Sequence, residues 1–245
     1  MEKTANSNLE TLVEDNDLLK LTKWADSVME SEGRRYLEEV PRASHLTDDS
    51  SLDIDYYVRH RIETVWRIWL TAKIDAIALA HMVVEDYESA RQWSRYVADE
   101  LDHDKMFLRD LVEHGVSIDE VRATPPFQST LSMLQDIEQN MNSLGALPAV
   151  AYALFVEWNA ERFSEKAVVK ATANLSNQHV VGAKRHVMFD LEERHLPMIL
   201  DISQRLLSKR GESTDTLERL VRSIAAHFRA YFTELDADDS CRAVV

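Results

Sequence analysis

The sequence has 245 residues, long enough for one large domain or two small ones with an ordinary hydrophobic core. Its formal net charge of −15 repels phosphate backbones and anionic lipid headgroups, so nucleic acid and membranes are not expected partners. The single cysteine, Cys241, excludes disulfide frameworks, thiolate metal sites and iron–sulfur clusters, so any metal site must use His, Asp and Glu.

The sequence predicts a cytoplasmic protein. No apolar run approaches the ~20 residues of a membrane span. Residues 1–30 are polar and lack the basic start and apolar stretch of a signal peptide.

An all-α fold follows from the composition, because only five glycines and five prolines interrupt long stretches of helix-forming residues. The predicted helices, in chain order, cover residues 8–40 (as one helix or two), 55–86, 91–114, 130–142, 148–173, 184–208 and 216–235. Two consecutive prolines mark a connector before the fourth of these, and Pro197 predicts a kink in the sixth.

These elements predict one domain, a bundle of about seven helices. Residues 1–50 are expected to pack as N-terminal helices on a bundle formed by residues 51–235. Residues 236–245, which include Cys241, are expected to form a flexible tail.

Two Glu-x-x-His pairs occur, Glu100/His103 and Glu192/His195, but about one such pair is expected by chance. Helical phase is more informative, because each residue of a helix advances about 100°. Glu100 and His103 then share the apolar stripe of their helix with Trp93, Val97, Phe107 and Leu111. A carboxylate in that stripe needs a cation or a full set of hydrogen-bond donors, since an unpaired one costs several kcal/mol.

Other acidic residues lie on predicted inward faces. Glu157 is flanked by small residues in a long apolar run, which suits an inward-pointing metal ligand, and Glu161 one turn later is a weaker candidate for a bridging role. In the helix 55–86, Glu63 shares a face with Trp66, Leu70 and Ile74, whereas Asp75 lies about 120° away. Glu63 is therefore the preferred upstream carboxylate, with Asp75 as a lesser candidate.

Two interpretations compete for the segment "KRHVMFDLEERHLPM". In the first, Glu192 and His195 form a second Glu-x-x-His pair, on the side that carries Met188, Leu196 and Ile199. In the second, one face of the helix presents His186, Asp190 and Glu193. Periodicity favours the first interpretation.

The succession of "DELDHDKMFLRDLVEHG", a "PP" connector, "FVEWNAE" and "HVMFDLEERH" resembles the haem-oxygenase-like di-iron oxidases and oxygenases over about residues 55–208. The resemblance implies a haem-oxygenase-like fold. Its motifs match the metal ligands Glu100, His103, Glu157, His186 and Asp190. The final histidine of the family's His-x-x-x-Asp-x-x-His motif is Glu193 here, with His195 two residues further on, and Glu63 fits the upstream glutamate only if the spacing stretches by about a turn.

Ferritin-like di-iron proteins offer a related interpretation, in which both Glu-x-x-His pairs and either Glu157 or Glu161 hold the metals. Both interpretations imply two Fe²⁺ ions per chain. Carboxylate and imidazole ligands suit Fe²⁺ and leave positions open for O₂ as co-substrate. The first resemblance implies oxidation of a small amino-acid-like or amine substrate by N-oxygenation, C–C cleavage or desaturation, in specialised metabolism and in a homodimer.

A substrate pocket is expected beside Glu157, with Tyr152 and Trp158 as apolar lining and Arg162 or Lys184 to hold a carboxylate. Ordinary core and surface roles are the alternative for these residues. A thiaminase-type hydrolase would need a cysteine within the bundle, and Cys241 is badly placed for that role. An iron-storage protein or a metal-independent helical binding protein remains the alternative to an enzyme.

Overall fold

Helices account for nearly all of the chain. The computed structural model describes residues 2–238, with only the backbone described for residues 2–16 and Leu191, and these residues contain no strand. The α-helices are α1 (Glu2–Glu39), α2 (Ile54–Glu85), α3 (Tyr87–Glu100), α4 (His103–Glu113), α5 (Ile118–Ala123), α6 (Gln128–Leu144), α7 (Leu147–Asn159), α8 (Glu165–Asn174), α9 (Val181–Glu193), α10 (His195–Arg210) and α11 (Thr214–Ala237). Residues 239–245 of the predicted tail, including Cys241, lie outside the described residues. The all-α prediction is confirmed.

Eleven α-helices are described where seven were predicted, because three of the predicted long helices are divided and the short helix α5 is additional. The helix 91–114 breaks between Glu100 and His103. The helix 148–173 contains a π-helical turn, Ala160–Ser164, between α7 and α8. The helix 184–208 breaks at Arg194, whose φ of 50° is left-handed. The kink predicted at Pro197 is therefore a break three residues earlier, and Pro197 lies in the first turn of α10, where a proline fits.

The predicted connector before α6 contains the short helix α5. Its start is fixed by a capping box, in which Ser117 accepts from the backbone N–H of Glu120 and the Glu120 carboxylate accepts from the backbone N–H of Ser117. The Ser-x-x-Glu pattern was present in the sequence, so this helix was predictable from it.

The core is centred on α7, which is apolar on all sides and packs against α6, α10 and α11. Leu147, Val150 and Leu154 are fully buried. Glu157 and Trp158 occupy the polar end of this helix, so the most deeply buried element of the fold carries a carboxylate.

No helix within residues 2–238 combines the length and the apolar character needed to cross a bilayer. The longest helices, α1, α2 and α11, are amphipathic or polar along their length.

Asp86 joins α3 to α10. Its carboxylate accepts from the backbone N–H of Ser89 at 3.1 Å and so caps α3, and Arg205 of α10 donates to the same carboxylate at 2.7 Å. Burial alone would raise the pKa of Asp86, but the hydrogen bonds from Arg205 and Ser89 outweigh it and lower the pKa to about 2. Asp86 thus holds together the two helices that carry Glu100 and His195.

Replacing Asp86 by alanine is expected to lower the free energy of unfolding by about 2 kcal/mol at pH 7, through loss of the cap and of a buried ion pair. Because the folded pKa is depressed, this contribution is complete above the ordinary Asp pKa near 4 and is lost as the pH falls towards 2. Urea unfolding of both proteins between pH 7 and pH 3 measures the difference. Asp119→Ala is the control, because that side chain is 89% exposed and its ion pair is a surface one.

Candidate functional site

One group of ligand-type side chains lies between α4 and α9. It consists of His103, the first residue of α4, and His186 and Asp190 of α9, and one donor atom from each lies within 4.8 Å of the others. The two imidazole rings are 4.4 Å apart between centroids. The distance from His186 Nδ1 to Asp190 Oδ2 is 3.0 Å.

A second group joins three other helices. It consists of Glu100 at the end of α3, Glu157 of α7 and His195 at the start of α10, again with donor atoms within 4.8 Å of one another. His195 Nδ1 lies 3.7 Å from Glu100 Oε1 and 3.9 Å from Glu157 Oε2. The break at Arg194 starts α10 at His195 and so turns this side chain inward.

Glu100 lies between the two groups. Its Oε2 atom is 3.1 Å from Nδ1 of His103, and its Oε1 atom faces Nδ1 of His195. One carboxylate therefore contacts a histidine of each group, which is the arrangement of a ligand that can bridge two metal ions.

Several buried polar atoms in both groups have no hydrogen-bond partner. They are Nε2 of His103, Nδ1 of His195 and Oδ2 of Asp190, which lies 3.0 Å from Nδ1 of His186 without hydrogen-bond geometry. A buried polar atom left unpaired costs about 1–3 kcal/mol. Three such atoms on ligand-type side chains fit a site built for cations, because one metal ion in each group would satisfy them.

The ionisation of the acidic residues supports the same interpretation. Burial, followed by the negative charges of Glu100 and Asp190, raises the pKa of Glu157 well above its ordinary range. Burial and the charge of Glu100 raise the pKa of Asp75 to about 7. These carboxylates repel one another, and bound cations would remove the repulsion.

The histidines are oriented by neighbouring acids. Burial disfavours a charged His103, but the hydrogen bond and negative charge of Glu100 outweigh it and raise the pKa of His103. Asp99 Oδ2 lies 3.3 Å from Nε2 of His195 and accepts its N–H, which leaves Nδ1 as the basic nitrogen facing Glu100 and Glu157. Metal-binding histidines commonly have such a carboxylate partner on the second nitrogen.

Two close contacts fix α9 against α4. Asp110 accepts from the backbone N–H groups of Gly182 and Ala183 at 2.7 and 2.8 Å and so caps the start of α9. A Cβ atom on Gly182 would lie 1.9 Å from the carbonyl oxygen of Met106. Glycine at this position lets α9 approach α4 closely enough to bring His186 beside His103.

Glu63 does not join either group. It is fully buried, as its helical phase predicted, but Arg59 donates to it at 3.0 Å and the backbone N–H of Phe127 does so at 3.2 Å. A complete set of protein donors thus satisfies this carboxylate. Asp75, the lesser candidate, is the acidic residue of α2 that lies near Glu100.

Glu192 and Glu193 are both exposed, so neither lies with His186 and Asp190. Glu161 is also exposed, on the π-helical turn. The described structure therefore brings together Glu100, His103, Glu157, His186, Asp190 and His195, and the residue after Asp190 in this set is His195 rather than Glu193.

A cavity of about 670 Å³ adjoins the site, and its wall includes Asp75, Tyr96, Glu100 and His186. Of the predicted pocket residues, Tyr152 and Trp158 line this cavity. Arg162 instead turns to α1, where it pairs with Asp26 at 2.6 Å, and Lys184 donates to Asn177 at 2.6 Å. Neither side chain lines the cavity.

Sequence reasoning missed Asp99, and it missed two arginines of α2 that also line the cavity, Arg61 and Arg67. Asp99 precedes Glu100 directly, and an acidic neighbour of a candidate ligand was a usable signal. The arginines gave none, because an arginine in an amphipathic helix is usually on its exposed face.

No protein-family model matches the sequence, and no curated protein matches it. Among solved structures, the fold is similar to the crystal structure of a TenA homologue from Pseudomonas syringae pv. tomato, with a TM-score of 0.67 and 13% sequence identity. The similarity covers 91% of this chain and 93% of that chain. The similarity supports the predicted all-α helical bundle, and at 13% identity it shows a shared fold alone.

Proposed function

We propose that the protein is a non-haem di-iron enzyme that activates O₂ to oxidise a small amino-acid-like or amine substrate. The observation that carries the proposal is the pair of His and carboxylate groups that share Glu100 and contain three buried polar atoms without partners. Such atoms are costly unless a ligand satisfies them.

The donor set favours iron over structural zinc. His103, His186 and Asp190 would hold one ion, and Glu100, Glu157 and His195 the other. Mixed imidazole and carboxylate ligands suit Fe²⁺, and no cysteine occurs among the described residues. Two ferrous ions bound there would supply electrons to dioxygen.

The protein side chains would keep the site ordered and dry. Asp99 fixes the tautomer of His195, and Tyr96 donates to Glu157 at 3.3 Å. Phe107 and Phe189 lie against the imidazoles of the first group, at 5.0 Å from His186 and 5.3 Å from His103 respectively. These rings cover the imidazoles with apolar surface and so limit the access of water to them.

The cavity favours an enzyme over iron storage, because a volume of about 670 Å³ beside the ligands suits an organic substrate. A thiaminase-type hydrolase is the other enzyme considered for this architecture. It needs a cysteine in the bundle, and the single cysteine is Cys241, outside the described residues. Cytoplasmic location and a homodimer remain part of the proposal.

The test is anaerobic loading with Fe²⁺, followed by iron counting and then by O₂ with and without candidate amino acids. We expect two irons per chain and substrate-dependent O₂ consumption, and we expect His103→Ala to reduce both. His81→Ala is the matched control, because that imidazole is 38% exposed at the far end of α2. Iron binding at adventitious levels would refute the proposal, and O₂ consumption that yields only mineral would favour storage.

A further inference from the structure

The cavity is electrically asymmetric along α2. On α2, Arg61 and Arg67 line the cavity in the first half of the helix, whereas Asp75 lines it farther along, near Glu100. Arg67 and Asp75 are eight residues apart on the same helix, so about 12 Å separates them along its axis. The chemistry at the arginine end is independent of the ligand groups described above.

Arg67 forms no close ion pair among the described residues. Burial would lower its pKa, but the hydroxyl of Tyr231 and the nearby charge of Glu63 outweigh it and raise the pKa. Its Nη2 donates to Thr64 at 3.2 Å, and its guanidinium lies 4.8 Å from the ring centroid of Tyr231. Its Nη1 is buried without a hydrogen-bond partner. Glu63, one turn away on α2, is already bound by Arg59 and by the backbone of Phe127.

Arg61 also lacks a close ion pair among the described side chains. Its guanidinium lies 4.8 Å from the ring of Tyr57 and 5.1 Å from the ring of Phe107, and it forms no ion pair within the described part of the chain. Its Nε atom is buried without a partner. Phe107 in turn contacts His186, so this arginine lies one ring away from the first ligand group.

His60 adds no positive charge to this region. Burial and the charges of Arg61 and Arg67 hold the pKa of His60 well below its ordinary value, so its imidazole is neutral. Its Nδ1 lies 2.5 Å from the hydroxyl of Tyr231, which makes a hydrogen bond between two uncharged groups. The charge of this end of the cavity rests on the two guanidinium groups.

Each of the two guanidinium groups has a buried nitrogen without a hydrogen-bond partner, and a carboxylate is the anion whose planar geometry a guanidinium matches best. Aromatic residues also line the cavity. Tyr152, Phe155 and Phe228 are among them. These rings would enclose the apolar part of a ligand whose carboxylate pairs with an arginine.

We propose that this cavity binds a carboxylate with an apolar body, whose carboxylate pairs with Arg67 and, as a second contact, with Arg61. The body then extends past Tyr152 towards Glu100 and His186. The inference deepens the proposed function by naming the substrate class. Binding at the arginine end does not depend on iron, so the two proposals can fail separately.

The experiment measures binding to the full-length chain by calorimetry, first in chelator-treated protein and then with Zn²⁺ added. The probes are octanoate and 4-phenylbutyrate, each compared with the alcohol of the same carbon skeleton. We expect the carboxylates to bind the wild-type chain at least about tenfold more tightly than the alcohols. We expect Arg67→Gln to weaken carboxylate binding by about tenfold or more, Arg61→Gln to weaken it less, and neither to affect the alcohols.

Arg95→Gln is the matched control, because Arg95 is exposed on α3. Arg67→Lys keeps the positive charge and is expected to retain part of the affinity. Thermal unfolding and alcohol binding establish that each variant is folded. Equal affinity for acid and alcohol, unchanged carboxylate affinity in Arg67→Gln, or no binding of either acid would overturn the inference, whether or not the protein binds iron.

Discussion

Replacing His195 by alanine is expected to remove one of the two irons and to weaken metal binding at the second group by at least about 100-fold. His195 supplies the only imidazole of that group in the described structure, and its Nδ1 atom is buried without a hydrogen-bond partner. The two carboxylates that remain, Glu100 and Glu157, then lack a neutral ligand between them. Anaerobic titration with Fe²⁺, followed by iron analysis of the desalted protein, measures the loss.

Glu193→Ala is the decisive comparison for this prediction. Family resemblance gave Glu193 the place of the final histidine, whereas its side chain is exposed in the structure. We therefore expect Glu193→Ala to retain both irons. If Glu193→Ala lost an iron while His195→Ala kept two, the assignment of His195 to the site would be wrong.

Replacing Glu157 by glutamine is expected to have opposite effects in the presence and absence of metal. Without metal, burial and the charges of Glu100 and Asp190 raise the pKa of Glu157, so folding at neutral or higher pH must keep it protonated or bury a repelled charge. Glutamine removes that cost and still accepts from Tyr96. The metal-free variant should be more stable than wild type by about 1–3 kcal/mol at pH 8.

The gain should depend on pH in a defined direction. A carboxyl group whose folded pKa is raised stabilises the folded state at low pH and loses that contribution as the pH rises through the folded value. The difference between Glu157→Gln and wild type should therefore grow from pH 5 to pH 8. Urea unfolding of chelator-treated protein at several pH values measures it.

With Fe²⁺ present under argon, wild type should be more stable than Glu157→Gln. Metal that binds only the folded state adds about 2.7 kcal/mol at a free concentration 100 times its dissociation constant, and Glu157→Gln should gain much less of this. Glu161→Gln is the control, because Glu161 is exposed one turn away. A metal-free Glu157→Gln that is less stable than wild type, yet gains as much from iron, would contradict this account.

Helical phase identified Glu100, His103 and Glu157 as inward-pointing residues, and the structure brings all three into the site. It also placed His195 on the inward side, but together with Glu192, which is exposed in the structure. The wheel drawn through residues 184–208 misplaced Glu192 because it assumes one continuous helix. The left-handed Arg194 divides that helix, and nothing in an arginine signals a positive φ. Helical phase therefore predicts side-chain directions within one helix, but not across a break that no glycine or proline marks.

Glu63, preferred over Asp75 in the sequence, lies away from both ligand groups for a different reason. The wheel of α2 was read as having one buried face, but α2 packs against α3, α4, α6 and α7, and so buries more than one. Glu63 faces Arg59 and the start of α6, while Asp75 faces Glu100. Which buried face carries a site depends on tertiary packing, and one helix sequence does not contain that information.

Arg162 illustrates the limit set by the π-helical turn. The extra residue of a π turn shifts the phase of every side chain that follows it. Arg162 lies within Ala160–Ser164 and reaches Asp26 of α1 instead of the cavity. Arg61 and Arg67 do line the cavity, and they come from a helix in which no sequence pattern indicated a binding role for them.

The close approach of α9 to α4 at Gly182 defines a sequence signature that the ligand motifs omit. Because the main chain of Met106 occupies the space of a Cβ atom, any other residue at position 182 would push α9 outward and separate His186 from His103. Distant relatives that keep the first ligand group should therefore have glycine four positions before the first histidine of the His-x-x-x-Asp segment. A motif extended to Gly-x-x-x-His-x-x-x-Asp would select them by the spacing of two helices as well as by their ligands.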